Sequence, residues 1–112
     1  MKKSDIQFQI ELDADNIPER ITWEASEKPE GVAKETKAIS VSLWDETTSN
    51  AMRMDLWTKE MTVEEMKRFY VNCLGGMAQT ILNSTGDEFM AKETNDLCDR
   101  LVKYISETEG TK

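Results

Sequence analysis

The sequence predicts an α+β domain in which a four-stranded antiparallel sheet is followed by two helices packed on one face, giving two layers. Two observations lead to this prediction. Apolar and polar residues alternate in four segments of the first half of the chain, and apolar residues recur every third or fourth position after residue 62. Strands and helices are therefore segregated along the chain, which is typical of the α+β class. A length of 112 residues fits a single domain over residues 1–112.

The first two strands, predicted at residues 5–13 and 19–26, should pair as a hairpin. One side of the first strand is apolar, and one side of the second carries Ile21, Trp23 and Ala25. The segment DADNIPE between them contains turn-forming residues and a proline. Its first residues offer oxygen ligands like the start of a calcium loop, but no mid-loop glycine follows, so a hairpin turn is favoured.

The third and fourth strands, predicted at residues 38–44 and 51–57, follow a charged loop at residues 27–36. Alternation turns one set of apolar residues toward the core: Ile39, Val41, Leu43, Met52, Met54 and Leu56. The outward side carries Ser40, Ser42, Trp44, Arg53, Asp55 and Trp57. A sheet with one apolar and one polar face is expected to be covered on one side only.

The first helix is predicted at residues 62–84. Thr62 and Glu65 have the spacing of a capping box, and Gly86 is a suitable C-cap. The apolar stripe of this helix consists of Met66, Phe69, Tyr70, Cys73, Leu74, Met77 and Ile81. Gly75 and Gly76 interrupt the stripe, which indicates either a close approach of another helix or a local weak point.

The second helix is predicted at residues 88–107. Asp87 can cap its start, and Gly110 is expected to end it. Its apolar stripe consists of Met90, Leu97, Leu101, Tyr104 and Ile105. Both helical stripes are expected to cover the apolar face of the sheet.

Composition argues against several classes of function. The net charge is −8, from 22 acidic and 14 basic residues, and no basic run is longer than two residues, as in Lys2 and Lys3, so nucleic-acid binding is not expected. Anionic membranes repel an acidic surface, and no apolar run is long enough to span a bilayer. The N-terminal segment lacks the apolar region of a secretory signal. We therefore expect a cytoplasmic protein, in which Cys73 and Cys98 remain free thiols.

No catalytic, metal or cofactor site is predicted. The absence of histidine removes the commonest general base near neutral pH and most catalytic zinc sites. Both cysteines have apolar or acidic neighbours instead of the electropositive surroundings that activate a thiol. We expect a non-enzyme. The alternative is an enzyme or small-ligand protein using Arg53, Asp55 and a tryptophan, which requires a concave pocket where these groups converge.

Trp44 and Trp57 are the anomaly of the outward face. One interpretation is structural, with each ring folded over a strand end or under a loop. The other is a protein-contact surface formed by Trp44, Arg53, Asp55 and Trp57, because tryptophan and arginine are enriched at interface hot spots. Trp44 precedes the DETTSN loop and Trp57 ends the following strand, so the two rings should lie at opposite ends of the hairpin.

Three segments carry a family resemblance: IELDADNIPERITWEAS, SLWDETTSNAMRMDLWTKEMTVEEMKRFY and GGMAQTILNSTGDEFM. They closely resemble the gliding motility-associated GldC family of Bacteroidetes. The most specific parts are residues 43–45, 55–61 and 66–70. The resemblance implies an accessory protein of the gliding or associated secretion machinery, with no catalytic residues to carry over. The expected partner is another protein or a second copy of the chain.

A chaperone is the alternative function. The order of four strands and two helices, together with the acidic charge, is similar to the export chaperone SecB, although no motif is shared. This analogy predicts an extended apolar groove that binds unfolded or exported chains.

Overall fold

A computed structural model of the protein describes residues 2–109, which divide into two compact units between residues 61 and 62. The first unit contains β1 (Ile6–Leu12), β2 (Pro18–Ala25), β3 (Glu35–Thr36), β4 (Ala38–Asp45) and β5 (Asn50–Trp57). The second contains α1 (Val63–Thr85) and α2 (Glu88–Glu109). The α+β class and the antiparallel strands are confirmed. The single domain over residues 1–112 and the packing of helices on the sheet stay predictions.

The first sheet has the order β1-β2-β3, with antiparallel neighbours. Phe8 pairs with Trp23 and Ile10 with Ile21, so the apolar residues of β1 and β2 share one face. The DADN segment is a turn: Asp13 Oδ1 accepts hydrogen bonds from the Asp15 and Ile17 amides (2.8 and 3.0 Å). The Asp13 carboxylate thus supports the hairpin connection through an Asx-type turn.

The predicted single four-stranded sheet is wrong, because the strands form two sheets of three and two strands. β4 and β5 pair with each other in a regular register from Ala38–Trp57 to Asp45–Asn50. The two residues of β3 pair with β2 before the chain bends at Lys37. Beyond the bend, the Lys37 carbonyl accepts from the Thr58 amide (2.8 Å), which follows β5. One extended segment therefore changes its partner at Lys37, as strands do at sheet corners.

The buried core of the strand unit is small. Ile21 is fully buried, and Ala38, Ile39 and Thr58 are also buried. The expectation that Leu43, Met52 and Met54 point into a covered core is wrong, because these side chains are 63, 60 and 53% exposed. They share a face with Ile39 as alternation requires, but they lie toward the loop end of the hairpin, where that face is uncovered.

Both predicted ends of α1 are confirmed. The Glu65 amide donates to Thr62 Oγ1 (3.1 Å), and the Thr62 amide donates to Glu65 Oε1 (3.2 Å), which completes the capping box. At the other end, Gly86 has a φ of 71° and its amide donates to the Leu82 carbonyl (2.9 Å). Asp87 caps α2, because its Oδ1 accepts from the Met90 amide (3.0 Å). Gly110 lies outside the described residues.

The predicted stripes of the two helices agree with the observed burial only in part. Several of their residues are half-buried: Met66, Phe69, Cys73, Leu74, Ile81, Leu101 and Ile105. The buried helical residues are Val71, Ala78 and Ala91, whereas several predicted stripe residues are exposed: Tyr70, Met77, Met90, Leu97 and Tyr104. The buried positions lie one residue away from the large apolar residues that periodicity selects. A β-carbon at Gly75 would lie 3.7 Å from Cys98 Sγ, an ordinary van der Waals distance, so α1 and α2 contact each other at this position.

Candidate protein-contact face

The outward face of the β4–β5 hairpin carries a polar centre between two tryptophans. The register pairs Ser40 with Asp55 and Ser42 with Arg53 across the strands. Paired positions in an antiparallel sheet lie about 5 Å apart at Cβ, so these four side chains are within bonding reach. Alternation and pairing thus assemble the centre from residues far apart in sequence.

Arg53 holds the polar centre together through three of its nitrogens. Its Nη1 donates to Ser42 Oγ (2.8 Å), and its Nη2 donates to Ser40 Oγ (2.7 Å) and Asp55 Oδ1 (3.0 Å). Nε lies 3.4 Å from Asp55 Oδ2. Ser40 in turn donates to Asp55 Oδ1 (2.6 Å). The guanidinium is therefore held by hydrogen bonds to three side chains, and the adjacent carboxylate balances its charge.

These bonds lower the pKa of Asp55 below its ordinary value of 3.8. The largest cause is the hydrogen bond from the Ser40 hydroxyl, followed by the hydrogen bond from Arg53, and both favour the ionised carboxylate. Asp55 is consequently a carboxylate at neutral pH with its lone pairs engaged. A general base needs a pKa near the working pH, so this environment favours an ion-pair role.

Both tryptophans are exposed at opposite ends of the hairpin. Trp44 is 67% exposed and pairs with Ala51, whereas Trp57 is 48% exposed and pairs with Ala38. Each ring therefore has only a methyl group directly across the sheet. Large aromatic surfaces beside a fixed polar centre are features that protein interfaces use as anchors.

The family model for GldC-like gliding motility-associated proteins matches residues 18–107. This match covers most of the chain. The chain belongs to the GldC-like family. No match to a curated protein or to a solved structure was found.

The region shared with the GldC-like family runs from the start of β2 almost to the end of α2. It includes Trp44, Arg53, Asp55 and Trp57, whereas β1 lies before it. The assignment of these four residues to a protein contact stays a prediction. Sequence reasoning placed Ser40 and Ser42 on the outward face but not in the candidate site. Cross-strand pairing with Asp55 and Arg53 is the signal that selects them.

A second polar cluster of this GldC-like chain connects segments of the strand unit. Lys59 Nζ lies 3.1 Å from both Asp13 Oδ2 and Glu19 Oε1. Hydrogen bonds to these carboxylates raise the pKa of Lys59, and the bond to Asp13 has the larger effect. Glu19 reaches Lys59 from a bulge, since Pro18 and Arg20 pair with the adjacent residues Leu12 and Glu11. The cluster ties the segment after β5 to the β1–β2 connection.

Residues 2–109 contain no group of three or more cysteine or acidic residues that could hold a metal ion. Within the same residues, neither helix is long and apolar enough to cross a membrane.

Proposed function

We propose that this GldC-like chain is a non-catalytic accessory protein that binds a protein partner of the gliding or associated secretion machinery through the outward hairpin face. The observation that carries the proposal is the exposure of Trp44 and Trp57 on either side of the Arg53–Asp55 pair. The family match supports the biological setting. We also propose a cytoplasmic location, a reducing compartment in which Cys73 and Cys98 stay free thiols.

Covering Trp44 and Trp57 would contribute favourable free energy to the binding of a partner. A tryptophan buries about 150–250 Å² when covered, and each Å² of apolar surface contributes about 25 cal/mol. Covering both rings would therefore supply several kcal/mol before association costs. Arg53 and Asp55 already satisfy each other, so a partner meets a nearly neutral polar centre and no unpaired charge has to be buried.

A capture experiment tests this proposal. Tagged protein and the Trp44→Ala/Trp57→Ala double variant are used to capture cross-linked partners from cells of the source organism, with quantification by mass spectrometry. We expect the double variant to capture at least tenfold less of a gliding or secretion component than the wild-type protein captures. Tyr104→Ala is the matched control, because it removes an exposed aromatic ring from α2. Unchanged capture by the double variant would contradict the proposed face.

A chaperone resembling SecB is the second candidate, and the exposed face of Leu43, Met52 and Met54 favours it. Methionine side chains adapt to different apolar partners and are common on promiscuous binding surfaces. If this face binds unfolded chains, the purified protein should delay the aggregation of a denatured client. Met52→Ser/Met54→Ser should remove the delay, whereas Trp44→Ala should retain it. No delay by the wild-type protein would count against a chaperone.

A further inference from the structure

The outer edge of β5 is open. Among residues 2–109, β4 and β5 form a two-stranded sheet, and no strand pairs with the other edge of β5. The start of β2 contacts the end of β5, where Ile17 and Pro18 line a groove with Leu56 and Trp57, and the Lys59 amide donates to the Pro18 carbonyl (3.3 Å). An isolated two-stranded sheet is marginally stable, and an unpaired edge is a template for another strand.

This edge lacks several of the usual protections. Proteins discourage edge pairing with proline, with bulges and with charged side chains, above all lysine. The sequence of β5, NAMRMDLW, contains no proline and no lysine, its Arg53 and Asp55 are paired with each other, and its register with β4 has no shift. The strand is therefore regular, and the part of its edge that β2 does not contact can accept a further strand.

We propose that a second copy of this chain occupies the edge, with the two β5 strands antiparallel and the two-fold axis at Met54. Each residue of one copy then faces the residue of the second copy for which the two residue numbers add up to 108. Met54 faces Met54 of the second copy, Arg53 faces Asp55, and Met52 faces Leu56. The two hairpins join into one four-stranded sheet, β4-β5-β5-β4, across the dimer.

Charge complementarity selects this occupant and this register. Arg53 of each copy lies opposite Asp55 of the other, so the two intrachain pairs join into one alternating network. A two-fold axis at Arg53 would place the Arg53 side chains of the two copies opposite each other. A two-fold axis at Asp55 would do the same for the two aspartates. An axis between two residues would set the apolar face of one strand against the polar face of the other. The strand is thus self-complementary in one arrangement.

The apolar side of β5 is self-complementary in the same register. Leu56 lines a groove with Ile17, Pro18 and Trp57, and the pairing brings Met52 of the second copy opposite Leu56. A flexible thioether side chain fits such an irregular apolar groove. Edge pairing of one strand buries less surface than a standard interface, so the dimer should be weak and concentration-dependent.

Sedimentation equilibrium of the purified protein tests the self-association between about 1 μM and 1 mM, a range suited to weak interfaces. We expect the mass to rise from 12.8 kDa toward twice that value. Arg53→Asp and Asp55→Arg should each weaken the dimer at least tenfold, because each opposes like charges twice. Arg53→Asp/Asp55→Arg should restore it. Circular dichroism of every variant checks that the fold is retained.

Disulfide trapping tests the register. Met54→Cys should give a covalent dimer on mild oxidation, because directly opposed Cβ atoms lie about 4.5–5.5 Å apart. Leu43→Cys is the matched control: Leu43 lies on the same face and is even more exposed than Met54 (63% against 53%), but it belongs to β4. The wild-type chain, with Cys73 and Cys98, is the blank. Trapping through Leu43→Cys alone would show face-to-face packing and overturn the edge pairing.

A protein that stays monomeric up to 1 mM would also overturn the proposal, as would a dimer that the Arg53 and Asp55 variants do not weaken. The self-association goes beyond the partner binding proposed above and is measured on the purified chain alone. Failure to find a gliding partner therefore leaves it unaffected, and failure to dimerise leaves the tryptophan face untouched.

Discussion

At the scale of single residues, alternation predicts which side chains share a face but not whether that face is covered. Trp44 and Trp57 lie on the outward side and are exposed, in agreement with their positions in the pattern. Leu43 and Met52 share a side with the buried Ile39, yet both are mostly exposed. Coverage depends on contacts between distant segments, and no local pattern specifies those contacts. The bonds of Arg53 likewise depend on which strand pairs with β5.

Asp55 should make the stability of the protein depend on acid. Its folded pKa lies below 3.8, so its stabilising contribution is present above that value and is lost as pH falls through the folded pKa. Asp55→Asn should lower the free energy of unfolding at pH 7 and reduce its decline as the pH falls below 3.8. Urea unfolding at each pH measures both effects. Asp13 and Asp45 also have lowered pKa values, so some decline should remain. An unchanged acid slope would contradict the assigned role.

Thr58 is a buried residue whose hydroxyl group lowers the stability of the folded protein. It is 3% exposed, and its Oγ1 has no hydrogen-bond partner within the part of the chain that the structure describes. An unsatisfied buried polar group costs roughly 1–3 kcal/mol. Thr58→Val keeps the shape and should stabilise the protein by about 1 kcal/mol in thermal or urea unfolding. Thr36→Val is the control and should destabilise, because Thr36 Oγ1 donates to the Ala38 carbonyl (3.1 Å). Destabilisation by both would mean that Thr58 is hydrogen-bonded.

At the scale of elements, local signals predict ends well and sheet membership poorly. The capping box of α1 and the Gly86 cap depend on residues within one helical turn, so the sequence specifies them directly. The division into two sheets depends on a change of partner at Lys37, after only two residues of β3 have paired. Nothing in the alternation of residues 38–44 reveals that change. The helical stripes were predicted only in part, because the small buried residues Ala78 and Ala91 carry little hydrophobic signal.

Gly76 and Gly86 of the helical unit offer a matched pair of substitutions. A β-carbon at Gly76 or Gly86 would meet nothing within 4 Å, so the two sites differ in backbone conformation alone. Gly76 is inside α1, and Gly76→Ala should stabilise the protein by about 1 kcal/mol through helix propensity. Gly86 has a φ of 71°, and Gly86→Ala should destabilise by about 1–2 kcal/mol. Thermal unfolding measures both, and equal effects would contradict the assignment of a left-handed cap.

At the scale of the whole molecule, charge and strand pairing act in opposite directions on self-association. Each copy carries −8, which repels a second copy at long range, whereas the proposed β5 pairing is locally neutral because Arg53 faces Asp55. The two effects have different ranges and different sensitivity to salt. The stability of the dimer should therefore depend on salt concentration in a way that a purely apolar dimer of neutral proteins would not show.

The proposed dimer should tighten as salt rises from about 0.01 to 0.15 M. Two charges of −8 separated by about 30 Å repel with on the order of 9 kcal/mol in water without screening. The Debye length falls from about 30 Å to about 8 Å over this range, which reduces the repulsion from about 3 kcal/mol to well under 1. The two exposed Arg53–Asp55 contacts contribute only about 0.2–1 kcal/mol each, so their weakening is the smaller effect.

Sedimentation equilibrium at several salt concentrations measures this response, and the dissociation constant should fall by roughly tenfold or more. Arg53→Asp/Asp55→Arg is the matched control, because the exchange retains both the net charge and the complementarity; its response should equal that of the wild-type protein. A dissociation constant that rises with salt would show that short-range ion pairs dominate the association. The overall acidity of the chain would then have no part in limiting it.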